Sequence, residues 1–341
     1  MGVEFLSEKQ RHALISKINP FFDGDKNHFI ANQKVCLDQL VRITVARPWR
    51  RSAVDPATLI DIKSKVCKAV SGNRPIEFSV PFGGYKSWRL ASAPHLDWAE
   101  VFWIDYLTQF SKRIEAVYPL GVIISFTYFS GLMEWVNNLP HHVQNIYIAE
   151  LKSLLALRST RTLQLHLVDH TQAYGGSDVV IKLLEERMAR MPVPSAEDLL
   201  SAKRNLMPDA NFYASQGLSF ASEEYRFASQ ELSSVAIEQA ARRCLAMMSL
   251  ELRRDFNKFG PRIQLTHIRG PSLSLHIGSC RSAVAQPWVS TGYLVWDSTS
   301  ECWIEKLATH TLQLKETQRI AVQNNLQDVF PKLDCIFIAG V

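Results

Sequence analysis

Two glycines, a tyrosine and two cations form the most chemically suggestive local group in this chain: Gly83-Gly84-Tyr85-Lys86, followed by Arg89. Glycine lets backbone amides approach an anion closely, and a lysine with an arginine beside it completes a site for phosphate or carboxylate. The same residues equally fit a solvated turn that needs glycine only for its geometry. The spacing is neither the GxxxxGK of a phosphate-binding loop nor the GxGxxG of a dinucleotide fold, so it specifies no nucleotide. Glu100 stands among apolar Trp98, Val101 and Phe102. There it is either a desolvated base or ammonium anchor, or a first-turn acid that a helix dipole stabilises, with Asp97 as the cap.

The chain has 10 histidines. His267 and His276 fall on adjacent predicted strands, where they either share one pocket as donors to an anion or proton carriers, or are two unrelated strand residues. His166 and His170 are four apart, but in a strand that runs into a loop; without helical geometry they cannot share one metal, and no metal is assigned. Ser130-Gly131 ends a strand without the GxSxG frame of a hydrolase nucleophile. Trp98, Trp103, Tyr106 and Phe110 recur at helical spacing and are assigned to the core.

The elements that must position these residues follow from periodicity. Asp55-Pro56 opens a helix that runs to Ser71-Gly72-Asn73, since aspartate caps free amides and proline tolerates the first helical position. Pro75 to Val80 is a strand ending at the glycine turn. A long helix starts at Asp97 and is stopped by Pro119; Gly121 to Tyr128 is a buried strand, His141 to Leu157 a helix, and Thr162 to Val168 a strand. This alternation predicts an α/β fold, a Rossmann-like mostly parallel sheet flanked by helices, with ligands at the carboxyl ends of strands. Met191 to Gly217, with Pro192, Pro194 and Pro208, is the best candidate for a connection or lid. A long helical pattern follows from Glu223 to Phe259. Arg262 to Ile268 with Ser272 to Gly278, and Ser290 to Trp296 with Cys302 to Leu307, are expected to form hairpins, followed by a helix over Gln313 to Val329 and a strand over Cys335 to Ala339. The expected organisation is 1–190 as the helical start and sheet, 191–222 as linker or lid, and 223–341 as a long helix with a hairpin-rich α+β part.

Composition narrows the function classes. At 341 residues the chain exceeds what one core usually serves, which predicts two lobes or one large domain with an appended piece. A hydrophobic content of 47% with 21% charged residues excludes disorder. The net charge of +5 favours an anion, yet the basic clusters are short, so nucleic acid is not expected as a partner. No apolar run approaches the ~20 residues of a membrane span. Met1 to Asn19 is too charged for a secretory signal and the six cysteines never form a CxxC pair, so the chain is expected to be cytoplasmic with reduced thiols.

The order of several motifs resembles the isonitrile synthase family, also called the pyoverdine/dityrosine biosynthesis family. The resemblance is carried by Arg74 to Phe82, then Lys86, then Pro94-His95-Leu96-Asp97-Trp98-Ala99-Glu100; by Ile114 to Val122; by Phe256 to Ile277; and by Gln286-Pro287-Trp288. It implies conversion of the amino group of an aromatic amino acid to an isonitrile, with ribulose 5-phosphate supplying the carbon and no metal or redox cofactor. It also implies roles: Lys86 with Arg89 on the sugar phosphate or its ketone, Glu100 as acid/base or ammonium contact, His267 or His276 for proton transfer, and Tyr85, Ser130 and Trp288 lining the substrate. The expected partners are therefore small molecules, an amino acid and a phosphosugar, on a chain that could form a homo-oligomer. The sequence departs from the family where Phe129-Ser130-Gly131 lacks an aspartate, Val289 replaces a histidine, Gly83-Gly84-Tyr85 opens the lysine element, and Ile268 follows His267. Those departures leave open a diverged alternative, a non-catalytic or other-substrate member that binds a small anionic metabolite or a protein partner.

Overall fold

Five short segments rich in β-branched and aromatic residues pair into one sheet: β1 (Ile76–Pro81), β2 (Val122–Tyr128), β3 (Leu163–Asp169), β4 (Ile263–Thr266) and β5 (Ser274–His276). Their order is β3-β2-β1-β4-β5, and every pair is parallel. The computed structural model describes residues 6–22, 36–87, 90, 92–137, 142–206, 234–249, 261–268, 273–308, 319–321, 330–333 and 335–337. The helices in chain order are α1 (Glu8–Phe22), α2 (Leu37–Thr44), α3 (Pro56–Ser71), α4 (Trp98–Glu115), α5 (Leu132–Asn137), α6 (His142–Arg158), α7 (Ser177–Met188), α8 (Ala196–Leu206) and α9 (Ser234–Ser249). The fold is α/β, as the alternation predicts.

Local signals explain the helix starts. The Asp55 side chain accepts a hydrogen bond from the Thr58 amide, with Pro56 in the first turn of α3. Asp97 caps α4 in a reciprocal box with Glu100. Helix α4 is buried nearly all round, from Trp98 to Ile114. It fills the space between the sheet and a hairpin of β6 (Thr291–Asp297) and β7 (Cys302–Ala308), whose antiparallel pairing was expected. The hairpin crosses α4 at Gly292: a Cβ there would lie 2.2 Å from the Ala99 amide nitrogen. One continuous core joins Leu14, the apolar faces of β1 to β5, α4, Trp303 and Leu333. A smaller cluster joins Phe129 and Leu132 to Val180 and Leu184 of α7 and Met247 of α9.

Three expectations about the second half change. The segments around Arg262 to Gly278 do not make a hairpin: β4 and β5 run parallel and extend the main sheet, with Gln264 opposite Ser274. Alternating apolar residues look the same in either direction, so only the tertiary pairing decides it. The stretch read as a connection carries α8, whose Ala202 packs against Ala240 and Ala241 of α9. Within the span read as the last helix, Arg319–Ala321 is strand β8, antiparallel to β9 (Cys335–Phe337). The long-helix pattern is observed as Ser234–Ser249; the rest of it, and the remainder of the expected last helix, lie outside the described residues.

Candidate functional site

The chain leaves β1 at Pro81 and turns back toward α4 through Phe82 to Lys86. Gly84 takes a left-handed backbone (φ +76°), which side chains disfavour. Both glycines serve close packing. A Cβ on Gly83 would meet Trp288 Cδ1 at 2.8 Å, and one on Gly84 would meet Gln144 Nε2 at 2.8 Å and the Tyr128 side chain at 3.1 Å. The turn is thus built around Trp288 on one side and Gln144 with Tyr128 on the other. It is not a solvated loop: Phe82, Gly84, Tyr85 and Lys86 are all buried.

Lys86 has no exposed surface. Its ammonium donates to Glu100 Oε1 at 3.0 Å and Oε2 at 2.9 Å, to the Ser290 carbonyl at 2.8 Å and to the Pro287 carbonyl at 3.2 Å. Asp97 Oδ1 lies 3.0 Å away. Lysine has three protons to give, so this acceptor set uses them all. The charge read as a phosphate cation is instead neutralised from within, by two carboxylates delivered together at the start of α4. Glu100, itself fully buried, also accepts from the Tyr147 hydroxyl at 3.0 Å and from the Asp97 amide at 2.9 Å. Burial pushes the Glu100 pKa up from 4.5 to about 7, against the pull of Lys86. Asp97 further accepts from Ser92 Oγ at 2.8 Å and from the Gly292 amide at 3.3 Å, which ties the hairpin to the same cluster.

Beside the cluster the strand order reverses direction between β1 and β4, the place where open α/β sheets form a ligand crevice. His267 follows β4 there, with its ring 5.6 Å from that of Trp103 and 5.9 Å from that of Trp288. Phe82 closes the ring set, 6.1 Å from Trp103 and 6.0 Å from Trp288. His267 is buried, and burial, aided by His276, lowers its pKa from 6.5 to about 3 against the opposing pull of the Ile277 backbone. It is therefore a neutral imidazole at pH 7, able to offer one donor and one acceptor.

The other expected residues divide around this centre. Trp288 and Tyr85 belong to it. His276 sits on β5 opposite Thr266, the residue before His267, and acts on the His267 ring electrostatically. Ser130 lies at the end of β2, where its Oγ donates to Asp169 Oδ2 at 2.6 Å and contacts Thr171 Oγ1 at 3.0 Å. A carboxylate therefore reaches this strand end from β3. Burial acts to raise the Asp169 pKa, but the bonds from Ser130 and Thr171 together hold it below the ordinary carboxylate value. Arg89 lies outside the described residues. Among the described residues no group of three or more His, Cys, Asp or Glu could hold a metal ion, and no helix is long and apolar enough to cross a membrane. Sequence reasoning missed Tyr147, Gln144 and Asp169, which come from elements distant in the chain. It treated Asp97 as a cap alone, although the D-x-x-E start of α4 already carried two carboxylates one turn apart.

No protein-family profile matches the chain, and no curated protein matches it in sequence. Among solved structures it is similar to the PvcA protein from Pseudomonas aeruginosa, with a TM-score of 0.57 and 17% identity over 89% of this chain and 100% of that one. The tyrosyl-tRNA synthetase from Aeropyrum pernix aligns with a TM-score of 0.26 and 11% identity over 67% of this chain and 52% of that one, too slight a likeness to carry an argument. The chain shares the PvcA fold over nearly its whole length.

Proposed function

We propose that the chain is an isonitrile-synthase-like enzyme that condenses the amino group of an amino acid with a phosphosugar such as ribulose 5-phosphate. The observation that carries this proposal is the buried Lys86–Glu100–Asp97 cluster beside the neutral imidazole of His267, at the switch point of a PvcA-like sheet. PvcA is a pyoverdine/isonitrile-synthase-family protein, and the motif order of this sequence resembles that family. Condensation begins with attack of an uncharged amine on a ketone carbon and ends with loss of water. It needs a group that holds a proton near neutral pH and one that can accept it. Glu100, pushed up to about 7, and His267, kept neutral, meet those two needs. Lys86 then acts on Glu100 and on the Pro287–Ser290 turn, not on the sugar phosphate.

A non-catalytic binding protein is the second reading, favoured by the saturated acceptor set around Lys86. Incubation with a panel of aromatic amino acids and ribulose 5-phosphate, followed by mass detection of an isonitrile, separates the two. Product that disappears in Glu100→Gln supports the enzyme; absence of product across the panel supports the binding role.

A further inference from the structure

Condensation of an amino acid with a ketone has a proton to dispose of before any new bond forms. Near neutral pH the amino group arrives mostly as an ammonium, whose nitrogen has no free electron pair. That proton must pass to water. Glu100 and Lys86 have no exposed surface and His267 is 7% exposed, so the buried centre is poorly placed to hand it over.

One titratable pair at the same helix start is reached by water. In the loop that brings Asp97 to α4, His95 stands between the buried Pro94 and Leu96 and keeps 28% of its side-chain surface exposed. Its Nδ1 is paired with Oε1 of Glu150 on α6, and the other oxygen of that carboxylate accepts from the Leu96 amide at 3.0 Å. Glu150 is thus held on both oxygens, at the seam between α6 and the loop. A carboxylate only accepts, so the neutral ring carries its proton on Nδ1 and keeps a lone pair on Nε2. Among the described residues Nε2 makes no hydrogen bond. The pair also adjoins the buried centre. Tyr147, one turn before Glu150 on the same face of α6, donates to Glu100 at 3.0 Å. Burial pushes the Tyr147 hydroxyl well above its ordinary value, and the charges of Glu100, Asp97 and Glu150 add to it, so Glu150 is felt at the same spot.

We propose that His95 is the base that takes the proton of the substrate ammonium and passes it to water, with Glu150 as the residue that positions its ring. This role rests on the condensation reading above. In the step an N–H bond of the ammonium breaks and its electron pair stays on nitrogen. The proton bonds to the Nε2 lone pair, which gives a neutral amine and an imidazolium. Glu150 balances that charge, as a carboxylate does for a catalytic histidine, and water takes the proton from the exposed ring.

Two variants of the full chain test the role. His95→Asn keeps an N–H donor for Glu150 and removes the base. Glu150→Gln keeps an acceptor for the Leu96 amide but offers the ring a donor, which moves the ring proton to Nε2. Both should keep the parent Tm and lower kcat/KM for product formation from an aromatic amino acid and ribulose 5-phosphate, His95→Asn by about 100-fold or more. Nitrogen NMR of the histidine rings should show His95 protonated on Nδ1 in the parent and on Nε2 in Glu150→Gln. An Nε2-protonated ring in the parent overturns the proposal, as does an unchanged kcat/KM in both variants. If the parent forms no product, the condensation reading falls, and the amino acid added alone decides the contact: a shifted His95 Nε2 resonance supports it and an unmoved one overturns it.

Discussion

Lys86 and Glu100 pair where water reaches neither, and the raised pKa of Glu100 makes the stability of the fold depend on one proton. The folded chain holds the Glu100 proton up to about pH 7, whereas an ordinary glutamate releases it near 4.5. Its contribution is thus complete below about pH 4.5 and is lost as pH rises through 7. His267 works in the opposite sense: its folded pKa falls from 6.5 to about 3, so its contribution is present above 6.5 and is lost as pH falls toward 3. Across pH 4.5 to 6.5 the two slopes oppose each other, and single variants should separate them. Urea denaturation at a series of pH values should show Glu100→Gln gaining on the parent chain by up to about 3 kcal/mol between pH 4.5 and 7. Parallel curves for the two proteins would refute the burial account of Glu100. Lys86→Met should destabilise at pH 8 by about 3–5 kcal/mol, because it strands two carboxylates without a cation; the same titration, read at a single pH, measures it. The D-x-x-E pattern made Asp97 and Glu100 legible at the residue scale. The carbonyls of Pro287 and Ser290 were not, because nothing in a sequence says which loop will close over a lysine.

At the scale of elements, helix α4 and hairpin β6–β7 meet with no space between backbones. A methyl group at Gly292 would stand 2.2 Å from the Ala99 nitrogen and 2.4 Å from the Trp98 carbonyl carbon, so Gly292→Ala must push the hairpin off the helix. The expected loss is at least the 1–3 kcal/mol of core overpacking, and thermal unfolding should show it as a lowered Tm. An unchanged Tm would mean that the hairpin is not anchored there. Helix starts were readable because caps are local chemistry: Asp55-Pro56 and Asp97 each announce their helix within a few residues. The direction of β5 was not readable, since a three-residue strand of alternating polarity fits a hairpin and a parallel ladder equally well.

Across the whole molecule, α1 is strapped over the hairpin and the start of α6's distal end. Lys9 pairs with Glu301 and Lys17 with Glu305, while Trp303 Nε1 donates to the Gln10 carbonyl at 3.0 Å. Arg158, at the end of α6, donates to the carbonyls of Pro20 at 2.9 Å and Phe21 at 2.7 Å and to Asp105 at 3.0 Å. Hydrogen bonds to a charged group are worth about 1.5–3 kcal/mol, so Arg158→Ala should free the end of α1 before the sheet yields. Hydrogen exchange should quicken in α1 and stay slow in β1 and β2; uniform quickening would show that α1 is part of the global unit.

Composition and periodicity by themselves determined that this chain is an α/β protein with a helix-covered parallel sheet, because burial periodicity and caps act within a few residues of themselves. They also determined which residue types stand at strand ends. Only the tertiary structure decided what those residues face. It turned Lys86 inward onto Glu100 and Asp97, brought Asp169 to Ser130, set His267 between two tryptophans, and gathered single serines and a glutamine from separate strands into one row. Each of these depends on contacts between segments tens to hundreds of residues apart, and such contacts leave no mark on either segment alone.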